Sequence, residues 1–355
     1  MIISRTPFRI SFFGGGTDYP AWYLKHGGSV LATSINKYCY ISCRYLPPFF
    51  EHRIRVVYSK IENVRFSHEI QHPAVRETLR FLQLERGLEI HHDGDLPARS
   101  GMGSSSAFTV GLLNAIHALM GVMPSKQQLA LESINIEQNL IKETVGSQDQ
   151  VAVAYGGLNH ISFHTSGDIS VRPVTITHDR LEELNSHLML FFTGIKRTAS
   201  DMAKTYVEDL ESKSEHIQAM QEMVDEALGI LCGTRCICNF GELLHKTWML
   251  KRSLSPQISN NVVDELYEQA RAHGAIGGKI MGAGGGGFLV LFVPPSAQDR
   301  VRKALQELFW VPFKFESAGS QIIFYEPSKE DFADLDRDRK HNSIRPFREH
   351  SSVMK

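Results

Sequence analysis

Three glycine clusters divide this chain: FGGGTDY at 13–19, GMGSSS at 101–106 and GAGGGG at 282–287. Glycine weakens the interior of helices and strands, so a cluster marks backbone that turns sharply or closely approaches another group. Three ordinary loops would meet that demand, and so would one site assembled from distant parts of the chain. The middle cluster constrains most. Its glycines and small hydroxyl residues run straight into AFTVGLLNAIHALMG, an apolar segment with helical spacing. The free amides at a helix start carry about half a positive charge and hold phosphates well. Simple N-capping by Ser104, Ser105 and Ser106 explains the same residues equally well.

Other phosphate and nucleophile patterns fail. Gly278-Lys279 is followed by Ile280, and position 273 is His, so there is no G-x-x-x-x-G-K-[ST] loop. The run from Gly282 to Gly287 satisfies G-x-G-x-x-G almost automatically. It leads into the strand-like FLVLFV, whereas a dinucleotide fingerprint opens a helix. Gly103-Ser104-Ser105-Ser106-Ala107 lacks the second glycine of a hydrolase elbow. Two carboxylates stand out: Glu137 in SINIEQNLI, and Asp149 in VGSQDQVAVAYGG. Asp149 taken alone also fits a turn or cap. Cys232, Cys236 and Cys238 with His245 lack the second cysteine pair usual in a structural zinc site, so buried free thiols are expected there.

At roughly 100–200 residues per domain, 355 residues suggest two domains. The first sixty residues read as strands and turns; helices are expected near 74–86, from 107, and over 126–143. A strand follows near 156–163. The boundary falls around 165–185, giving domains of 1–175 and 176–327 and a polar tail over 328–355. The second half is richer in helix, over 201–231, 240–252, 260–272 and 297–308, and closes with the strand QIIFY. With 38 Lys and Arg against 39 Asp and Glu, no general field draws nucleic acid or an anionic membrane. The uncharged stretch 100–125 is interrupted by serines, Asn114 and His117, so a membrane span is not expected. The N-terminal residues do not read as a signal peptide. Five cysteines suit a reducing cytoplasm.

Taken together, TPFRISFFGGGTDY, PARSGMGSSSAF and KIMGAGGGGFLVLF resemble the three motifs of the GHMP kinases, in family order and spacing, over about 3–325. This is the superfamily of galactokinase, homoserine kinase, mevalonate kinase and phosphomevalonate kinase. The resemblance implies a two-domain α+β fold: an N-terminal ribosomal-protein-S5-like α/β domain and a C-terminal ferredoxin-like α+β domain. GGGTDY and TGIKRTAS, residues 193–200, are most similar to the D-glycero-D-manno-heptose 7-phosphate kinases, which make the 1,7-bisphosphate for activated heptose and surface polysaccharide. Galactokinases carry Glu-His where this chain has Gly15-Gly16, which argues against galactose. Met102 replaces the usual Leu, a swap of similar volume.

The resemblance also implies roles. Asp149 would accept the proton of the attacking hydroxyl, with Arg9 near the reacting centre. Ser105 and Glu137 would hold Mg²⁺, and Gly101, Gly103, Ser104, Ser105 and Ser106 would cradle ATP. Asp18, Gly15 and Gly16 would meet the sugar. A sugar phosphate needs a second anion site, for which Lys37, Arg44, Lys196 and Arg197 are candidates, with Arg197 first because a guanidinium grips phosphate bidentately. The implied partners are ATP and a small sugar phosphate, with a homodimer left open. The alternatives are a kinase for L-fucose, galactose or free heptose, a catalytically silent sugar sensor of the same fold, and a nicotinamide oxidoreductase.

Overall fold

The computed structural model describes residues 1–195, 210–327 and 332. Two long strands, β1 (Ile2–Phe13) and β2 (Gly28–Tyr45), pair antiparallel and form the spine of a nine-stranded sheet. β5 (Leu88–Gly94), β3 (Ile54–Val57) and β4 (Ile61–Val64) extend that sheet on one side. β6 (Leu158–Phe163) pairs with the start of β2, and β7 (Ile169–Pro173) with β6. From Pro7 to Phe13 every residue of β1 is buried, because both faces of the strand are covered. Helix α3 (Ser104–Leu119) lies on β1 and β2 and is apolar over most of its circumference, with Asn114 and His117 hydrogen-bonded to Ser320 and Glu132. All but its first two residues are therefore buried.

The second sheet has four antiparallel strands: β8 (Leu188–Phe192), β9 (Gly277–Ile280), β10 (Phe288–Phe292) and β11 (Phe309–Trp310), in the order β11-β8-β10-β9. Helices α7 (Ser214–Cys232) and α8 (Cys238–Ser253) pack on each other between the sheets. Phe240 of α8 is the pivot. Its ring meets Phe12 at 5.3 Å and Phe13 at 5.0 Å, both edge to face, and Phe292 of the second sheet at 6.2 Å. One apolar core thus continues through both halves, and truncating Phe240 to alanine should cost about 3–5 kcal/mol.

The structure departs from the expectations at three places. The helix expected over 126–143 is α4 (Lys126–Ile134) followed by a π-helical turn, Asn135–Leu140. Residues 315–325, assigned above to the second domain, return to the first sheet: β12 (Phe315–Glu316) pairs with β2 and β13 (Gln321–Tyr325) with β1. Alternating apolar residues mark QIIFY as a strand but cannot choose which sheet edge it joins. Cys232 and Cys236 are exposed and Cys238 half-buried, while Cys39 and Cys43 fill the core. The former three lie where α7 ends and α8 begins, at the surface. No helix among the described residues is long and apolar enough to cross a membrane.

Candidate active site

The site forms where β1, α3 and α5 (Gln148–Tyr155) meet the third glycine cluster. Arg9 on β1 is 3% exposed, which would be costly for an unpaired cation. Each of its three guanidinium nitrogens donates one hydrogen bond. Nε donates to Asp149 Oδ1 at 2.7 Å and Nη2 to Oδ2 at 2.6 Å, a bidentate fork, and Nη1 donates to the Gly101 carbonyl at 2.6 Å. Asp149 occupies the first turn of α5 and is 26% exposed, so one side stays open to a ligand. The Arg9 amide also donates to the Met102 carbonyl at 3.1 Å. One residue of β1 therefore fixes both the 101–106 loop and the carboxylate.

The middle and third glycine clusters interlock. A side chain on Gly101 would place its Cβ 2.4 Å from the Met281 carbonyl oxygen, and one on Gly282 would come within 2.7 Å of the Gly101 Cα. Backbone lies directly on backbone there, so the GAGGGG cluster serves as packing surface for the phosphate-loop candidate rather than as a second loop of the same kind.

Glu137 lies in the π-helical turn and is fully buried. Its Oε2 accepts the Ser106 hydroxyl at 3.0 Å and the Gln150 amide at 2.6 Å. No hydrogen bond reaches Oε1, since the neighbouring Thr109 hydroxyl already donates to the Ser105 carbonyl. Burial pushes the carboxyl up to about 7, against the opposing pull of the Thr109, Gln150 and Ser106 side chains. Ser105, expected beside Glu137, is exposed instead. Each helical residue advances about 100°, so Ser106 faces inward and its neighbour outward.

The other expected residues divide. Asp18, assigned to sugar hydroxyls, is buried. It accepts the Gly16 amide at 3.0 Å on Oδ1 and the Gln148 amide at 3.4 Å on Oδ2, tying the first glycine turn to α5. Burial raises its pKa, and the charge of Asp149 adds to the effect. Gly15 and Gly16 form that turn, with Gly15 beside the Gln148 side chain. Ser104 braces the loop that precedes the helix, its hydroxyl accepting the Arg99 amide at 3.1 Å. Lys37 is half-buried at the bulge where β2 slips past β1. Arg44 is not at the site. It pairs with Glu89 at 2.6 Å, ten residues along β2 from Ser34, the partner of Arg9, or roughly 30 Å at strand rise. Lys196 and Arg197 lie outside the described residues.

Sequence reasoning missed two buried lysines from the second half. Lys279 of β9 donates to the Ser11 carbonyl at 3.1 Å and the Phe12 carbonyl at 2.9 Å. Lys251 of α8 donates to the Gly282 carbonyl. A signal for Lys251 was available: with Leu244, Thr247 and Trp248 it falls on the buried stripe of its helix, where lysine is rare.

Residues 70–157 match the GHMP kinases N terminal domain, and residues 231–309 the GHMP kinases C terminal domain. The chain belongs to the GHMP kinases. As a GHMP kinase it is a phosphotransferase, with the two-domain fold of that family. It is 28% identical over 323 residues to the D-glycero-alpha-D-manno-heptose 7-phosphate kinase of Campylobacter jejuni, covering 86% of this chain and 93% of the relative. It is 26% identical to the L-fucokinase/L-fucose-1-P guanylyltransferase of Bacteroides fragilis, spanning 86% of this chain but 36% of that longer protein. Among solved structures, a D-glycero-D-manno-heptose 1-phosphate kinase from Bacteroides thetaiotaomicron superposes with a TM-score of 0.75 at 22% identity, covering 92% of this GHMP kinase and 100% of that chain. Lactococcus lactis galactokinase, complexed with galactose, gives 0.71 at 16% identity, covering 90% and 94%.

Proposed function

We propose that this GHMP kinase transfers the γ-phosphoryl group of ATP to the anomeric hydroxyl of a sugar phosphate, with D-glycero-D-manno-heptose 7-phosphate as substrate and the 1,7-bisphosphate as product. The observation that carries the reading is the Arg9–Asp149 fork against the loop that opens α3. Phosphoryl transfer has a loose, highly charged transition state, so positioning and electrostatics do most of the work. The amides at the start of α3 would receive the phosphates. Asp149, held in one orientation by Arg9, would accept a hydrogen bond from the acceptor hydroxyl and take its proton. The sugar oxygen then bonds to the γ-phosphorus as the bridging bond to ADP breaks. Asp18 would act through its neighbours, keeping the first glycine turn against α5.

Among the described residues, a divalent cation fits beside Glu137. Glu137 Oε1 is buried without a donor, and the Ser106 hydroxyl is bonded to the other oxygen of the same carboxylate, which together offer hard oxygens of the kind Mg²⁺ takes. Glu137 and Ser106 would hold it, and when bound it would offset the charge of the triphosphate. The choice of a heptose phosphate is supported by the Campylobacter jejuni relative, which spans nearly the same length. The second reading, an unphosphorylated sugar such as L-fucose, is favoured by the Bacteroides fragilis relative. Lys37, Lys196 and Arg197 remain the proposed contacts for a second phosphate, and a reducing, cytoplasmic setting is proposed from the free thiols.

The deciding experiment is a product assay. The chain is incubated with ATP, Mg²⁺ and each of heptose 7-phosphate, heptose, L-fucose and galactose, and the new phosphate is located by ³¹P NMR. Transfer to C1 of heptose 7-phosphate alone is the expected outcome. Equal or faster turnover of a sugar without phosphate would replace the first reading with the second.

A further inference from the structure

Lysine is almost never buried without partners, yet the second half of this chain sends two buried lysines to the first. Lys279 is accounted for. Its two backbone carbonyl acceptors on β1 make it a tie between the sheets. Lys251 is not. An ammonium has three donors, and among the described residues the Gly282 carbonyl is the one acceptor that Nζ meets.

The surroundings of Lys251 say where its remaining donors are useful. Gly282 packs on Gly101, whose carbonyl accepts Arg9, which in turn grips Asp149. Lys251 therefore stands one backbone layer from the Arg9–Asp149 fork. The charged groups that act on it are Arg9 from β1, Asp18 from the first glycine turn, Asp149 from α5 and, across the cluster, Lys279 from β9. Arg9 and the two lysines thus lie buried near two carboxylates, one of them already taken by Arg9. Burial and the neighbouring cations hold Lys279 well below the ordinary lysine range, so it is Lys251, with one acceptor for three donors, that is left to meet an incoming anion. Burial, with Arg9 adding to it, lowers the Lys251 pKa to about 8, and an anion arriving beside it would restore the charge.

We propose that Lys251 is a catalytic residue that binds a non-bridging oxygen of the phosphoryl group in transit, so that the C-terminal half supplies a cation to the transition state. The inference rests on the kinase reading above. The lysine forms no covalent bond: the acceptor oxygen bonds to phosphorus, the bond to ADP breaks, and the hydroxyl proton goes to Asp149. The ammonium compensates charge on the equatorial oxygens, as preorganised donors do in other transfers. A phosphate carried at the far end of the sugar is a poorer candidate for this lysine, because Arg9 and Asp149 mark the reacting end.

The test uses the full chain and the variants Lys251→Ala, Lys251→Met, which keeps the packing volume, and Lys251→Arg. Turnover is followed with the sugar found by the product assay, and affinities for ADP and for the non-hydrolysable analogue AMP-PNP are measured by calorimetry. The expected result is a fall in kcat of about 10²–10³-fold in Lys251→Ala and Lys251→Met. Their ADP affinity stays within about threefold, their preference for AMP-PNP over ADP disappears, and methylamine restores part of the rate. Lys251→Arg keeps most of kcat and moves the alkaline limb of kcat/KM, expected near pH 8 in the parent, to higher pH. Unchanged kcat in Lys251→Met overturns the proposal. So does a loss of ADP and AMP-PNP binding in equal measure without amine rescue, which would mark Lys251 as a prop for the Gly282 loop. A parent chain that phosphorylates no sugar sinks the kinase reading instead, and the two nucleotide affinities still judge the lysine.

Discussion

Asp149 and Glu137 are separated by twelve positions in the sequence and have opposite electrostatic surroundings. Asp149 is partly open to solvent and both of its oxygens accept from one guanidinium. Glu137 is sealed in the core, one oxygen doubly hydrogen-bonded and the other with no donor. The first carboxylate already has its cation and a fixed direction, so it is suited to meeting a hydroxyl. The second is costly to ionise until a cation arrives, so it is suited to holding one. Two acids of similar chemistry are thus suited by environment to different work, as paired carboxylates in active sites commonly are.

The comparison can be broken most decisively at Asp149. Asp149→Asn should lower kcat by about 10²–10⁴-fold, the range for loss of general-base assistance, with nucleotide affinity retained. Near-normal turnover in a steady-state assay would remove the distinction altogether. Glu137→Gln should come next, raising the Mg²⁺ concentration needed for half-maximal activity by roughly 10–100-fold, read from a metal titration at fixed ATP. The serines sharpen the same point. Losing a hydrogen bond to a charged group costs about 1.5–3 kcal/mol, so Ser106→Ala should reduce kcat/KM for Mg·ATP roughly ten- to a hundredfold. Ser105→Ala, on the exposed side of the helix, should change it far less. The reverse order would return the metal contact to Ser105.

A pH titration examines Glu137 without turnover. Its folded pKa is raised from the ordinary 4.5 to about 7, so between those values the native chain holds a proton that the unfolded chain has released. Stability should therefore fall as pH rises through that window. In thermal melts without nucleotide or metal, Glu137→Gln should flatten this part of the curve and leave the alkaline part higher than in the parent. The smallest effect is expected at Arg44. Its ion pair with Glu89 is half exposed on the arginine side, so Arg44→Ala should cost about 0–1 kcal/mol of stability and leave kcat/KM for the sugar unchanged.

Much of this site was legible in the residues. Glycine and serine before an apolar helical run specify a loop that opens a helix, and Gly101 to Ser106 is that loop. Arg9, Glu137 and Asp149 stood in the motifs that pointed to them, and the structure gathers all three around α3 and α5. Arg44 misled because charge and motif proximity say nothing about distance along an eighteen-residue strand. The metal contact stays divided between Ser105 and Ser106, because a run of three serines offers no internal sign of which one faces inward. Lys251 stayed hidden because a single cation within an amphipathic helix reads as a solvated face until its stripe is traced.

Local chemistry determined the turns, the buried strands, the helix that begins at Ser104 and the family of the chain, since each depends on neighbours within a few positions. Contacts between residues remote in sequence decided the rest. Examples are the π-helical turn that leaves one Glu137 oxygen without a donor, the return of 315–325 to the first sheet, and the meeting of Gly282 with Gly101 that brings Lys251 to the fork. Those contacts follow from how whole faces pack, and close packing selects partners by shape across the fold rather than by order along the chain.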